Sequence, residues 1–432
     1  MKVSEKVVEI NVNHILNIGI DVASRKLDIH FECPIKVNSR EVYRDQIANR
    51  SDIIASSLEK YRSLAQEKGY QNIRIVCEPT GPYSINLLNV AQSLNCFTAY
   101  ANPESVAKSK VIETNECGKT DPIDAEIINN LAERNKVLTH RTYSKEYANL
   151  RVLNSHYEDL DRSYVSARNQ VHKTLKMLFP DFSMKVDTVF SKTGQTLYKF
   201  YGFSPWRITA QGFKHFNNKL RLNAKGVRNS TIQKIWDDAI ATCKYNCSDI
   251  AWSLSERLGD HYEDYLRYKD RKDRLKKQMI TILKEIRKEE PTIAKASTNF
   301  VSEFHVARLL AETGPLSDFN THKELLNYIG MNLRERKSGF YTGKTKLSKK
   351  GRPVARKVLS QIVLPLVHRK RLYGPAYHSI KKRTGKPGTL LMTNFMRKFL
   401  KSFFGIYKSK SEFDENRLFI DAGAYNKLFK SA

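Results

Sequence analysis

The chain has 432 residues, is 41% hydrophobic and carries 74 Lys+Arg against 45 Asp+Glu, for a formal net charge of +29. That length exceeds what one hydrophobic core usually supports, so two or three folded domains are expected and a disordered scaffold is excluded. No segment approaches the roughly 18 to 20 apolar residues that span a bilayer, and the first residues lack a signal-peptide pattern, so a cytoplasmic protein with access to the chromosome is expected and no membrane partner.

Residues 14–134 read as alternating strands and helices. Strands are predicted near 15–21, 27–33 and 35–44, a helix over 51–68, a strand at 72–78, a helix over 83–94 and a strand at 96–101. The five residues 22–26 suit a hairpin, so the sheet opens antiparallel and continues as βαβ units. A hairpin, then βαβ units, with an acid on the first strand, is the order of an RNase H-like α/β domain, assigned to residues 1–140.

The period then becomes helical. Over 145–184, Tyr147, Leu150, Leu153, Tyr157, Leu160, Tyr164, Val171, Leu175 and Leu178 recur at threes and fours. A second run over 250–289, with Leu254, Leu258, Tyr262, Tyr265, Tyr268, Leu275, Met279, Ile282 and Ile286, has the same character and would pack against the first or against a second protomer. Between them, around 185–246, the pattern is mixed and assigns helices without bounds, with a turn at Gly202-Phe203-Ser204-Pro205-Trp206, and residues 141–291 are read as a helical, coiled-coil connector. Residues 292–432 form a mostly α-helical unit: helices near 301–313, 321–329, 375–383 and 389–407, one opened by Pro353, a turn at Gly314-Pro315 and a loop over 330–351.

Within that last unit, residues 336–411 contain 21 Lys+Arg and no Asp or Glu. Such a stretch, interleaved with Phe340, Tyr341, Tyr373, Tyr377, Phe395 and Phe399, favours nucleic acid over a membrane surface or an acidic protein as the partner. The six cysteines, at 33, 77, 96, 117, 243 and 247, have no zinc-ligand spacing and are read as free thiols.

Against this basic background four acids stand out: Asp21 and Glu78, each ending an apolar strand, and Asp121 and Asp124 in Lys119-Thr120-Asp121-Pro122-Ile123-Asp124. Carboxylates gathered at strand ends repel one another unless a cation with a preference for oxygen ligands, Mg²⁺ or Mn²⁺, neutralises them. An acid ending an apolar strand has no capping task. Asp121-Pro122-x-Asp124 has a second reading as a helix N-terminus, with Asp121 as N-cap and Pro122 in the first turn. A cation held by such a set can orient a scissile phosphate, activate a nucleophile and stabilise the leaving oxygen.

Ser338 lies in Arg334-Glu335-Arg336-Lys337-Ser338-Gly339, followed by Lys344, Lys346, Lys349, Lys350, Arg352 and Arg356, a candidate nucleic-acid-binding set. Clustered cations stabilise both a serine alkoxide and a pentavalent phosphate, although Ser-Gly is also a common turn dipeptide.

Together these residues resemble the IS-one-ten-type insertion-sequence transposases, also called bridge-RNA-guided recombinases. The resemblance runs through Ile18-Gly19-Ile20-Asp21-Val22-Ala23-x-x-Lys26-x-Asp28, Glu78-Pro79-Thr80-Gly81-Pro82-Tyr83, Asn102-Pro103 and Gly118-Lys119-Thr120-Asp121-x-x-Asp124-Ala125. It continues at Leu310-Ala311-Glu312-Thr313-Gly314, Phe319, Tyr328-Ile329-Gly330, Ser338-Gly339, Lys349-Lys350-Gly351 and Arg356. It implies a RuvC-like DEDD site formed by Asp21, Glu78, Asp121 and Asp124, and a C-terminal transposase domain with Ser338 as nucleophile. It further implies strand exchange of donor and target DNA through a phosphoserine, guidance by a structured bridge RNA, assembly into homodimers and homotetramers, and action at the bacterial nucleoid. Leu333 stands where many relatives carry a proline, and 300–305 replace a glycine-rich turn. The rival readings are a hydrolytic, metal-dependent junction nuclease and a non-catalytic nucleic-acid-binding protein.

Overall fold

The computed structural model describes residues 14–36, 39–114, 121–296, 301–334, 337–338, 341–342 and 346–412. The chain divides into two compact units, Met1–Thr142 and Tyr143–Ala432.

In the first unit the order is β1 (Ile15–Val22), β2 (Lys26–Lys36), β3 (Ser39–Ala48), α1 (Ser51–Glu67), β4 (Asn72–Cys77), α2 (Tyr83–Ser93), β5 (Phe97–Ala101), α3 (Pro103–Thr114), α4 (Asp121–Glu133) and β6 (Val137–Thr139). The six strands make one mixed sheet in the order β3-β2-β1-β4-β5-β6. Strand β1 is parallel to β4 and β4 to β5, while β1–β2, β2–β3 and β5–β6 are antiparallel, the arrangement of an RNase H-like domain. Two elements are additional to those expected. Strand β6 has three residues, too few to carry a period, and α3 lacks an apolar face, with Val106 its one buried hydrophobic among the described residues.

Because strand side chains alternate, the sheet has two different faces. Leu16, Ile18, Ile20 and Val22 of β1, with Leu27, Ile29, Phe31 and Cys33 of β2 and Ile73, Ile75 and Cys77 of β4, form one core with Ile54, Leu58, Tyr61 and Ala65 of α1 and Leu87, Leu88 and Ala91 of α2. Each fully buried Leu, Ile or Phe contributes about 1.5–3 kcal/mol by leaving water. The intervening residues Asn17, Gly19 and Asp21 therefore face the opposite side, where α4 lies, and that side carries the acids.

The second unit is built on two long helices, α5 (Lys145–Leu178) and, after five short helices, α11 (Ala251–Glu289). They run antiparallel within one chain. Tyr147 donates to Glu290 (2.8 Å), Lys272 pairs with Asp161 (2.5 Å), and the Tyr164 and Tyr265 rings lie 5.1 Å apart, so α5 finds its apolar partner in α11 of the same chain. The first long helix stops at Leu178, short of the 184 expected, because Pro180 supplies no N–H and disfavours helical backbone at Phe179, which adopts φ −133°, ψ 74°.

Each end of this helical pair has its own core. Around Val171, Leu175, Leu258 and Tyr262 pack α6 (Val186–Val189), α7 (Lys192–Tyr201), α8 (Pro205–Thr209), α9 (Gly212–Asn223) and α10 (Asn229–Tyr245). Around Tyr147, Leu150, Met279, Leu283 and Ile286 packs the C-terminal part: α12 (Pro291–Ala296), α13 (Glu303–Thr313), α14 (His322–Ile329), α15 (Pro353–Leu366), α16 (Gly374–Thr384) and α17 (Gly388–Ser409). Helix α14 is opened by a capping box, in which Thr321 accepts from the Glu324 backbone N–H and Glu324 accepts from the Asn320 N–H.

Residues 330–351, expected as a loop, contain two short antiparallel ladders: β7 (Leu333–Arg334) with β10 (Lys346–Leu347), and β8 (Lys337–Ser338) with β9 (Tyr341–Thr342). Among the described residues no helix is long and apolar enough to cross a membrane.

Candidate active site

Three of the four acids meet at one end of the first unit's sheet. Strand β1 pairs with β4 in parallel register, Ile20 against Cys77, so the next residues, Asp21 and Glu78, emerge side by side at the C-terminal ends of adjacent strands. In parallel sheets this end is where ligands are commonly met.

Helix α4 brings the third acid. At its far end Asn17 Nδ2 donates to Glu133 Oε1 (2.7 Å), and Arg74 of β4 donates to Asn17 Oδ1 (2.7 Å) and to the Ala132 carbonyl (3.1 Å), which anchors α4 to the start of β1. Nine residues of helix rise about 13.5 Å and four of strand about 13 Å, so from the Glu133–Asn17 anchor Asp124 comes level with Asp21. Gly19 sets the spacing. A Cβ there would stand 2.3 Å from the Ala125 carbonyl oxygen and 2.5 Å from the Asn129 nitrogen, so the helix backbone lies directly on the strand where a side chain is missing.

The electrostatics agree with this placement. Burial raises the Glu78 carboxyl above its ordinary range, Asp21 and then Asp124 raise it further by repulsion, and Lys110 opposes them. Lys110, on α3, places Nζ 2.7 Å from Asp124 Oδ1 with both side chains largely buried. Burial, followed by the charges of Glu78 and Asp21, pushes the Cys77 thiol up to about 12, so this cysteine is inert at neutral pH. Among the described residues no three His, Cys, Asp or Glu side chains are gathered closely enough to hold one ion. The cluster is open, with Lys110 as its internal cation. Its all-carboxylate donor set fits a hard divalent cation, Mg²⁺ or Mn²⁺, and does not fit zinc or copper.

Asp121 is the first residue of α4, one turn before Asp124, so the segment does open a helix, and Asp124 is at the same time one of the converging acids. The Asp121 side chain lies outside the described residues. Two residues of this site, Gly19 and Lys110, have no role assigned to them by the sequence alone. Gly19 had a detectable signal, a glycine inside an apolar strand, which marks a close backbone approach. Lys110 had none, since it is one of two lysines on a helix without an apolar face.

In the second unit Ser338 is the last residue of β8, its backbone paired with Tyr341. Its hydroxyl, like Lys344 and Gly339, lies outside the described residues. The base of this two-ladder arm is fixed by backbone crossing: Gly351 has φ +136°, and a Cβ there would meet the Tyr328 carbonyl oxygen at 2.4 Å and the Gly330 nitrogen at 2.7 Å. Lys349 N–H donates to the Gly330 carbonyl (3.1 Å) and Ser348 N–H to Asn332 (2.9 Å), closing the arm on the end of α14. Leu333 pairs with Leu347 in the outer ladder.

The basic residues of the arm divide into two groups. Lys346, Lys349 and Lys350 are exposed. Arg352, by contrast, stacks over the Tyr328 ring at 5.5 Å, and Arg356 donates to the Ile329 carbonyl at 2.7 Å, satisfying a carbonyl in the last turn of α14. Their guanidinium groups thus hold the base of the arm.

Two family models match this chain. Residues 18–180 match the DEDD transposase of the IS110 type, described as a transposase, and residues 297–379 match the model described as Transposase IS116/IS110/IS902 family. No curated protein matches the chain significantly. The first match contains the whole converging carboxylate set and the second contains Ser338 with its basic arm, and together they span more than half of the 432 residues. The chain belongs to the IS110/IS116/IS902 family of transposases.

Proposed function

We propose that this transposase cuts and rejoins DNA through a covalent phosphoserine on Ser338, assisted by Mg²⁺ held by Asp21, Glu78, Asp121 and Asp124. The carrying observation is the convergence of Asp21, Glu78 and Asp124 at one end of the sheet, where burial, and then the charges of Asp21 and Asp124, raise the proton affinity of Glu78 above its ordinary value. Carboxylates brought together at one end of a sheet are costly to keep unless a cation is part of their working state. When bound, the divalent ion supplies charge stabilisation for a phosphate whose negative charge grows in the transition state.

The chain's own residues divide the remaining work. Asp21 and Glu78, fixed on adjacent strands, and Asp124, fixed by the seating of α4 on Gly19, orient the ligand oxygens. The Ser338 oxygen gives up its proton and bonds to phosphorus, and one deoxyribose oxygen leaves and takes a proton. Attack by a hydroxyl of a second strand reverses this and restores the serine, so the number of phosphodiester bonds is conserved. Lys346, Lys349 and Lys350 neutralise the backbone of the bound nucleic acid. Donor and target DNA as substrates, a structured bridge RNA as guide and homodimers or homotetramers as the working assembly are parts of the same proposal, supported by the family resemblance.

The experiment is cleavage of a labelled element-end DNA followed by denaturing electrophoresis. Wild-type protein with Mg²⁺ is expected to give a protein–DNA adduct, Ser338→Ala to bind DNA without an adduct, and Asp21→Asn to give neither adduct nor nick. Nicked DNA without any adduct in the wild type would replace this reading with hydrolysis.

A further inference from the structure

A fifth carboxylate lies beside the cluster. In the β1–β2 ladder Asp21 is paired directly with Asp28, and in the β2–β3 ladder Asp28 is paired directly with Gln46. Paired residues of neighbouring strands share a face. Gln46, Asp28, Asp21 and Glu78 therefore form one row across β3, β2, β1 and the end of β4, all on the side that carries α4. Lys26-x-Asp28, a piece of the sequence motif to which the catalytic reading gives no role, has its place in this row.

Asp28 is 5% exposed. Its Oδ1 accepts from Gln46 Nε2 at 2.5 Å, while its Oδ2, buried, has no hydrogen-bond partner and lies 3.2 Å from Lys26 Nζ. Like charges placed directly opposite in an antiparallel pair destabilise a sheet, and a buried carboxylate oxygen without a hydrogen bond is costly in its own right. A chain under selection for stability alone would place Asn or Thr at one of these positions. The local cation, Lys26, is half-exposed and forms an ion pair with Asp28 Oδ2.

We propose that Asp28 is a positioning residue of the metal site: its Oδ2 accepts a hydrogen bond from a water molecule of the cation's hydration shell, while Gln46 fixes Oδ1 and so the plane of the carboxylate. Mg²⁺ keeps several of its waters when bound by few carboxylates, and those waters need acceptors in the second layer. The row supplies one at the level of Asp21. This inference rests on the reading of Asp21, Glu78, Asp121 and Asp124 as a divalent-cation site, and adds to it the residue that orients the solvent side of that cation.

The test is Mn²⁺ binding to the full chain, followed by electron paramagnetic resonance and by the Mn²⁺-induced rise in melting temperature. Asp28→Asn keeps shape and the Gln46 contact. It is expected to weaken Mn²⁺ binding about 10- to 100-fold, the usual cost of losing a hydrogen-bonding partner in a metal's second layer, while leaving the metal-free melting temperature equal or higher because the opposed charge pair is gone. Asp28→Glu should recover part of the affinity. A metal-free protein that melts lower with unchanged Mn²⁺ affinity would overturn the inference and make Asp28 a structural residue. Asp21→Asn separates the two levels: if wild type and Asp21→Asn bind Mn²⁺ equally poorly, the metal site itself fails. If Asp21→Asn loses binding and Asp28→Asn does not, only the role of Asp28 fails.

Discussion

Lys110 Nζ lies 2.7 Å from Asp124 Oδ1, so the acid that α4 carries to the sheet already has a cation on it before any divalent ion is considered. That ammonium also lowers the proton affinity of Glu78. It lets the acids face one another in the metal-free protein and opposes a second cation there. Lys110→Met is accordingly expected to destabilise the metal-free first unit and to tighten Mn²⁺ binding several-fold. A calorimetric scan with and without Mn²⁺ reads both effects, and a weaker Mn²⁺ affinity in this variant would mean that Lys110 orders the ligands more than it repels the ion.

Glu78 sets a pH dependence whose sign can be worked out. Its folded-state proton affinity is raised, first by burial and then by Asp21 and Asp124, so over the interval from the ordinary glutamate range up to its folded value the native state binds more protons than the unfolded state. Stability of the metal-free first unit therefore falls as pH rises through that interval, and the contribution is fully present below it. Metal binding runs the opposite way, because the ligand must be ionised, and affinity should begin to fall at a higher pH than for an ordinary carboxylate. Glu78→Gln should flatten the first dependence. Melting temperatures of both proteins across the acidic range, without metal, make the comparison.

Gly19→Ala probes how α4 is seated. The added methyl would overlap the Ala125 carbonyl and the Asn129 nitrogen, both backbone atoms that cannot swing aside, so the helix must move off the strand. Overpacking of this kind costs about 1–3 kcal/mol. Because Asp124 rides on the displaced helix, Mn²⁺ affinity should fall more than the stability loss alone predicts. Isothermal titration of the folded variant below its melting temperature separates the two.

The parts of this molecule that could be read from sequence are those where a period and a chemical exception coincide. The alternating order of strands and helices located the sheet, and an acid at the end of each of two apolar runs located Asp21 and Glu78. The helix-opening pattern at Asp121-Pro122 and the acidic role of Asp124 looked like alternatives, yet α4 begins at Asp121 and still delivers Asp124 to the cluster. What stayed hidden depends on elements too short or too neutral to carry a period. The ladders around Ser338 are two residues long, so 330–351 read as a loop. The antiparallel pairing of α5 with α11 was one of two options, because an apolar stripe specifies that it will be covered and leaves the cover unnamed. Lys110 became visible only once α3 lay beside α4.

Arg308, on α13, is 1% exposed and joins three helices. Its guanidinium donates to Asn154 Oδ1 (3.1 Å) and to Glu158 on α5, and to Gln361 Oε1 (2.6 Å) on α15, while it lies 5.0 Å from the Tyr157 ring centroid and 5.5 Å from that of Phe304. Asn154 in turn donates to Glu312 (2.8 Å), and Lys357 pairs with Glu158 (2.8 Å) and Asp161 (2.9 Å). Every arm of the planar fork has its own partner, a geometry that a lysine's single ammonium cannot reproduce. Removing one member of a buried charged network leaves the others desolvated without compensation, at about 3–5 kcal/mol. Arg308→Ala should therefore lower the stability of the second unit by that amount, and Arg308→Lys by somewhat less. Trp206, Trp236 and Trp252, the three tryptophans of the chain, all lie in this unit, so the urea midpoint followed by tryptophan fluorescence reports on it selectively. A midpoint unchanged in Arg308→Ala would mean that water enters and solvates Glu158, and that the network contributes orientation of α13 against α5 without contributing stability.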